Sequence, residues 1–178
     1  MTLTASSIGG KPAMTFDGSS SLRGSANPVG GARTVLVVMK ASGFGVLGCL
    51  IDFRSSSLEH GYFYGDSAGP IYVYGDGVAD KYTTSLGFNT NAHILRFSED
   101  GTNTGIIYVI DTTSCVVTAG AQGSETGAAG FSIGRRDAYG IQGFLGDISE
   151  VIVYDNVLSA PSDAALLAYL AAHYAISV

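Results

Sequence analysis

Charged residues are scarce in this sequence, at 13% of its 178 residues, which is about half of their share in an average soluble domain. Nine basic residues stand against 15 acidic ones, and the formal net charge is -6. Because no run of Lys or Arg occurs, the sequence lacks the basic surface that tracks a phosphate backbone. We therefore expect no nucleic-acid partner.

Long hydrophobic runs and export signals are also missing. Apolar runs such as residues 35–39 are far too short to cross a bilayer. Residues 1–7 lack the charged start and following apolar stretch of a secretory signal. We expect no membrane insertion, and a chain that is cytoplasmic, excised from a longer protein, or assembled into a virion inside the host.

Cysteine and tryptophan are nearly or fully absent. The two cysteines, Cys49 and Cys115, lie 66 positions apart, and there is no tryptophan. No Cys–His spacing points to zinc, and a disulfide or a reactive thiol stays open as the alternative to two small buried hydrophobic residues. The burial habit of cysteine favours the buried hydrophobic residues.

Glycine and strand-forming residues are abundant by contrast. The chain has 25 glycines, about twice the usual frequency, and they separate short segments rich in Val, Ile, Tyr and Phe. Because no helix interleaves these segments, they predict an all-β, two-sheet antiparallel sandwich, in a single domain over residues 1–178. The predicted strands are residues 14–16, 34–40, 47–54, 62–64, 71–74, 93–98, 106–110, 131–134 and 146–154.

One short helix is predicted at the C-terminal end. Ser159 or Ser162 can cap its start, and Pro161 suits its first turn. Apolar residues then recur at helical spacing, so we expect one stripe of the helix to pack on the sandwich. That stripe consists of Leu167, Leu170 and Tyr174.

Three blocks of the chain resemble the laminin-G-like, concanavalin-A-like jelly rolls. Residues 11–18 (KPAMTFDG) are similar to their opening strand, and residues 131–135 (FSIGR) to a late strand. Residues 144–154 (FLGDISEVIVY), with the helix after them, are similar to the closing strand and C-terminal helix. The resemblance implies two curved antiparallel sheets in a jelly roll. It also implies the functions that this fold hosts, which are those of lectins, glycosidases, lyases, adhesion modules and viral surface proteins.

Two short motifs match catalytic patterns by letter only. Residues 43–48 match the dinucleotide-binding fingerprint, but residues 49–53 are typical of a strand where that site needs a helix. Residues 130–134 match the nucleophile elbow around Ser132, but a turn rather than a helix is predicted to follow. We expect Ser132 to be a structural strand residue.

Glycoside hydrolysis is the enzymatic alternative. A retaining enzyme needs two carboxyl groups about 5 Å apart, and a regular strand places residues three apart, such as Asp147 and Glu150, on opposite faces. Glu59 and Glu125 fall in loop-like contexts. We expect Glu150 to hydrogen-bond the backbone or an arginine, and the protein not to be an enzyme.

Tyrosines and aspartates supply the candidate binding residues. Aromatic rings stack on sugars, so tyrosines on paired strands predict a glycan platform if those strands form a hairpin. The platform residues are Tyr62, Tyr64, Tyr72, Tyr74 and Tyr82. Calcium is a possible cofactor because loops of such sandwiches often carry it, and oxygen ligands would come from Asp66, Asp76 and Asp80.

These observations favour a non-enzymatic, lectin-like structural or adhesion protein. We expect a bacteriophage virion accessory at the virion surface, such as a capsid decoration, fibre or tail component. Its expected partners are further copies of itself, other virion proteins and host cell-surface glycans. The alternative is a carbohydrate-binding module of a secreted or surface bacterial protein, and a glycoside hydrolase or polysaccharide lyase ranks behind both.

Overall fold

Two antiparallel sheets and one helix make up the computed structural model, which describes residues 1–25, 32–43, 48–54, 59–64, 71–75, 78–82, 89–99, 106–111, 113–117, 130–135 and 143–178. The strands are β1 (Thr2–Ile8), β2 (Lys11–Asp17), β3 (Leu22–Gly24), β4 (Arg33–Ala41), β5 (Gly48–Arg54), β6 (Glu59–Tyr64), β7 (Ile71–Gly75), β8 (Val78–Tyr82), β9 (Ala92–Glu99), β10 (Ile106–Ile110), β11 (Thr113–Val117), β12 (Gly130–Ile133) and β13 (Leu145–Tyr154). The helix α1 (Ala160–Tyr174) follows the last strand.

The sheets have seven and six strands. The larger has the order β1-β2-β13-β4-β9-β10-β11, and the smaller β3-β12-β5-β6-β7-β8. The closing strand β13 therefore lies between β2 and β4 and ties the two ends of the chain into one sheet. This arrangement confirms the predicted two-sheet antiparallel jelly roll with a C-terminal helix.

The strand β4 shows how the core is divided. Its residues alternate between the two faces of the sheet. Val35, Val37 and Met39 pack between the two sheets, whereas Leu36 and Val38 pack under α1. All five side chains are buried. Burial on both faces explains why this segment reads as a continuous apolar run rather than an alternating one.

The helix α1 covers the outer face of the seven-stranded sheet. Of the two predicted caps the structure uses Ser159, whose side chain accepts a hydrogen bond from the Ser162 backbone nitrogen at 3.4 Å. Leu170 and Tyr174 are buried in the cluster under the helix, and Leu167 packs against it, as predicted. Of the described residues, no helical segment has the length and apolarity needed to span a membrane.

Four strands were not predicted from the sequence: β1, β3, β8 and β11. Small hydroxyl residues fill much of β1, β3 has three residues, and β8 carries charge within its sequence VADKY. Each pairs with only one neighbour as an edge strand. An edge strand is specified by tertiary pairing more than by its own composition.

Candidate functional site

Strand register divides the five predicted platform tyrosines between the two faces of the six-stranded sheet. The strands β6 and β7 are antiparallel neighbours, which is the condition set for the platform, but Tyr62 is paired with Val73 and Tyr72 with Phe63. Directly paired residues share a face, so the positions of Tyr62 and Tyr64 are not on the face of Tyr72 and Tyr74. A platform of all five is therefore wrong, because it requires the opposite register.

Three of the tyrosines hold positions on one common face. Tyr72 is the direct partner of Tyr82, and Tyr74 lies two residues further along β7. The same register places Tyr62 opposite Ile51, which packs in the core between the sheets. The positions of Tyr72, Tyr74 and Tyr82 consequently belong to the outer face, away from the core and on the sheet that α1 does not cover.

The outer face also carries a polar row. Asp52 is paired with Ser132 on one side and with Gly61 on the other, and Gly61 is paired with Tyr74. Asp52 and Ser132 are both buried. Ile51 and Phe53, the neighbours of Asp52 in β5, pack in the core, so Asp52 is on the opposite face. The row thus lines up a carboxylate, a hydroxyl and an aromatic position across four strands.

Only one of the three predicted calcium ligands belongs to the described residues. Asp66 and Asp76 lie outside the described residues, and Asp80 lies on β8. Within the described ranges, no group of three His, Cys, Asp or Glu side chains comes together to hold a metal ion. The calcium site stays a prediction.

The segments that argued against the two catalytic motifs, residues 49–53 and the surroundings of Ser132, are strands, as expected. Gly48 begins β5 rather than a helix. Ser132 lies within β12, is buried, and donates its hydroxyl hydrogen to the Arg135 carbonyl at 2.7 Å. Cys49 is buried on β5, and Cys115 belongs to β11 in the other sheet.

A β-bulge changes the geometry of the closing strand. The pairing of β13 with β4 runs from Ile148 opposite Met39 directly to Glu150 opposite Val38, so Ser149 is the inserted residue. The expectation that Asp147 and Glu150 lie on opposite faces is therefore wrong, because a bulge resets the two-residue alternation. Both hold positions on the face under α1.

The two carboxylates on that face have different partners. Glu150 accepts a hydrogen bond from the Tyr174 hydroxyl at 2.9 Å. The expected partner, backbone or an arginine, is therefore wrong. Burial raises the pKa of Tyr174 well above its usual value, and the Glu150 carboxylate adds to this. Asp147 accepts from the hydroxyls of Ser7 and Thr15, each at 2.5 Å.

A groove of about 680 Å³ opens beside Asp147, at the end of α1. It lies where the β1–β2 turn, the end of β4, the start of β9 and the end of α1 meet. The polar side chains that line it are Ser7, Lys40, Ser42, Thr90, Asn91, Asp147 and Tyr174. Ligand sites have volumes of roughly 300–1,000 Å³, so the groove has the size of a small-ligand site. We name it the α1 groove.

A smaller cavity of about 400 Å³ continues the α1 groove past Asn91, Ala92 and Ala175, which line both. His93 lies in it, with Nδ1 2.9 Å from Asp111 Oδ2 and Nε2 3.2 Å from Asn89 Oδ1. The Asn89 oxygen also accepts from the Asn91 backbone at 2.7 Å. Both ring nitrogens face oxygen acceptors, and this network holds residues 89–91, of which Thr90 and Asn91 line the groove.

The sequence analysis missed the α1 groove. Its residues come from separate segments, and none of them forms a motif. Lys40 and Asp147 are 107 positions apart and meet only because β4 pairs with β13. The one local signal is Asp147 in the closing block, and its spacing from Glu150 raises only the question of catalysis.

Solved structures with the same fold include several that hold a bound sugar. Domain 4 of AbnA, a GH43 extracellular arabinanase from Geobacillus stearothermophilus in complex with arabinotriose, is 19% identical over 89% of this chain and 77% of that one, with a TM-score of 0.69. The Ruminococcus gnavus IT-sialidase CBM40 bound to α2,3-sialyllactose is 13% identical over 88% of this chain and 95% of that one, with a TM-score of 0.71.

A third similar structure is the native heptameric SAP-like pentraxin from Limulus polyphemus. It is 15% identical over 82% of this chain and 76% of that one, with a TM-score of 0.65. No protein-family model and no curated protein sequence matches the chain. These identities relate the proteins by architecture, and the chain has the two-sheet, concanavalin-A-like jelly-roll fold.

Proposed function

We propose that this protein is a non-catalytic saccharide-binding module, and that the outer face of the six-stranded sheet contacts the sugar. The observation that carries this proposal is the register that aligns Tyr72 with Tyr82 and places Tyr74 on the same face. Aromatic side chains offer flat apolar faces to sugar rings. The fold supports the proposal, since similar domains have been solved with arabinotriose and sialyllactose.

The carboxylates of Glu150 and Asp147 are hydrogen-bonded within the protein, which supports a non-catalytic module. Glycoside hydrolysis uses one carboxyl group as an acid and a second as base or nucleophile, both facing the sugar. Glu150 instead accepts from Tyr174 under the helix, and Asp147 is held by Ser7 and Thr15. Among the described residues that line the α1 groove, Asp147 is the only carboxylate. This arrangement binds hydroxyl groups without supplying an acid–base pair.

Binding to a glycan array tests the proposal, with Tyr72→Ala as the first variant. We expect the affinity for the best glycan to fall about five- to tenfold, the loss of one aromatic contact. Tyr169→Ala is the matched control, because Tyr169 is 58% exposed on α1, and α1 packs on the other sheet. If Tyr72→Ala, Tyr74→Ala and Tyr82→Ala all bind glycans as the wild-type protein does, the outer face does not contact the sugar.

Two settings for such a module follow from the sequence, a virion surface and a secreted or cell-surface protein. The extracellular arabinanase domain favours the second setting by analogy of fold. The virion-accessory role stays the alternative prediction. Capsid and tail genes beside the gene for this chain would support the virion role, and genes for secreted polysaccharide-degrading enzymes would support the other.

A further inference from the structure

Lys40 and Asp147 form an unusual pair in the α1 groove. They are direct cross-strand partners in β4 and β13, and both line the groove. Opposite charges at such positions usually attract each other into contact. Nevertheless, no ion pair joins them, and in the part of the chain that the structure describes the Lys40 ammonium has no hydrogen-bond partner.

Asp147 is held in place with acceptor capacity to spare. Ser7 donates to one of its oxygens and Thr15 to the other. A carboxylate has about four lone-pair sites, so each oxygen keeps one acceptor position. These hydroxyls hold the carboxylate in the lining of the groove, where it makes no ion pair with Lys40. The pair therefore presents a fixed acceptor next to a cationic donor.

Other polar side chains along the groove also have free hydrogen-bonding capacity. The side chains of Ser42, Thr90 and Asn91 are exposed and make no hydrogen bond within the described ranges. Small apolar residues, Ala41, Ala92 and Ala175, lie between them in the lining. A ligand that fits such a wall alternates donors and acceptors and has a small apolar face.

We infer that the α1 groove is a second saccharide-binding site, selective for an uncharged sugar. Neighbouring ring hydroxyls each donate and accept, so one donates to Asp147 while the next accepts from Lys40. Where a carboxylate replaces the hydroxyl that faces Asp147, the two negative charges repel each other, in a protein whose net charge is -6. The inference takes its ligand class from the proposed function, but its site lies on the other sheet.

Titration of the ¹⁵N-labelled protein followed by NMR tests this inference, with lactose, arabinotriose and 3′-sialyllactose as probes. Lactose and sialyllactose differ by one charged sugar and form a matched pair. We expect lactose or arabinotriose to shift the amide signals of Lys40, Asn91 and Ala175 saturably. For sialyllactose, the affinity measured from the same signals should be at least about fivefold lower, because of like-charge repulsion.

Two variants refine the test. Lys40→Met should weaken binding at the groove about tenfold, the loss of one hydrogen bond to a charged group, whereas Lys11→Met, which is outside the lining, should not. Asp147→Asn should narrow the difference in affinity between lactose and sialyllactose at the groove. The melting temperature of this variant checks that the contacts of Ser7 and Thr15 still support the fold.

The outcomes separate this inference from the proposed function. Shifts confined to β7 and β8 overturn the α1 groove and leave the proposed function standing. Equal or stronger binding of sialyllactose at the groove overturns the selectivity for an uncharged sugar. The absence of shifts anywhere, with all three probes, contradicts both.

Discussion

The bulge at Ser149 shows how one residue changes the chemistry of a surface. Without the inserted residue, Asp147 and Glu150 would lie on opposite faces of β13. With it, both are on the face under α1, where one lines the groove and the other binds Tyr174. Sequence spacing alone could not predict this, since nothing within the segment LGDISEVIVY marks the position of a bulge.

Tyr174 links the helix to the closing strand through Glu150. Tyr174→Phe keeps the ring and removes the hydroxyl donor, so we expect a loss of about 1–2 kcal/mol in the free energy of unfolding at neutral pH. The raised pKa means that the folded protein holds this proton more tightly than the unfolded chain. The stabilisation is thus complete below the ordinary tyrosine pKa of about 10 and declines as pH rises above it.

Urea unfolding between pH 7 and 11 measures both effects. Tyr169→Phe is the control, since Tyr169 is exposed and makes no hydroxyl hydrogen bond in the described part of the chain. The variant at Tyr174 should lose less stability above pH 10 than the control does. Identical unfolding free energies for the two variants across this range would contradict the assigned hydrogen bond.

At the scale of elements, the helix α1 was largely predictable, whereas the register of β6 against β7 was not. Local chemistry specifies the helix: a serine cap, a proline in the first turn and an apolar stripe. Composition also predicted the strands that contain Tyr62 and Tyr72. Which tyrosines share a face depends on register, and register depends on the length and geometry of the connecting turn.

An ion pair between Arg96 and Asp163 fastens α1 to the seven-stranded sheet. The two side chains are 13% and 11% exposed, and burial lowers the pKa of Arg96 below its usual value. Removing one partner leaves a buried charge unpaired, so we expect Arg96→Met to cost about 3 kcal/mol of unfolding free energy. The double variant Arg96→Met/Asp163→Leu should cost less than the sum of the single changes.

A double-mutant cycle by chemical denaturation measures this coupling, which we expect to exceed about 1 kcal/mol. Lys11→Met is the matched control for loss of a positive charge on a partly buried strand residue, since Lys11 makes no ion pair within the described residues. Additive effects at Arg96 and Asp163 would show that the helix is held by apolar packing alone.

At the scale of the whole molecule, the jelly roll followed from the sequence but the α1 groove did not. Alternating apolar segments, glycine-rich turns and the closing block together predict the sandwich. The groove gathers Lys40, Asn91, Asp147 and Tyr174 from four elements and segments that meet only in the folded chain. A site of this kind has no sequence motif, because its spacing is set by sheet topology.

Self-association is the other property that belongs to the whole molecule. The edge strand β1 contains no charged residue, and its Leu3 is 72% exposed. Edge strands without charge or proline are open to pairing with a second copy. We therefore predict a homo-oligomer, in agreement with the low overall charge.

Size-exclusion chromatography with light scattering checks the oligomeric state. Leu3→Lys should lower the measured mass towards that of one chain, whereas Val157→Lys, a similar change at a 45% exposed loop residue, should not. A wild-type protein that stays monomeric at high concentration would contradict self-association through β1.

Binding without turnover is the central claim, and one calorimetric titration followed by chain-length analysis tests it most directly. The best oligosaccharide from the glycan array is titrated into the wild-type protein, incubated overnight and then separated by size. We predict saturable binding and recovery of the oligosaccharide at its original length. Shortened products that persist in a Tyr72→Ala control, or no binding at all, would contradict the account.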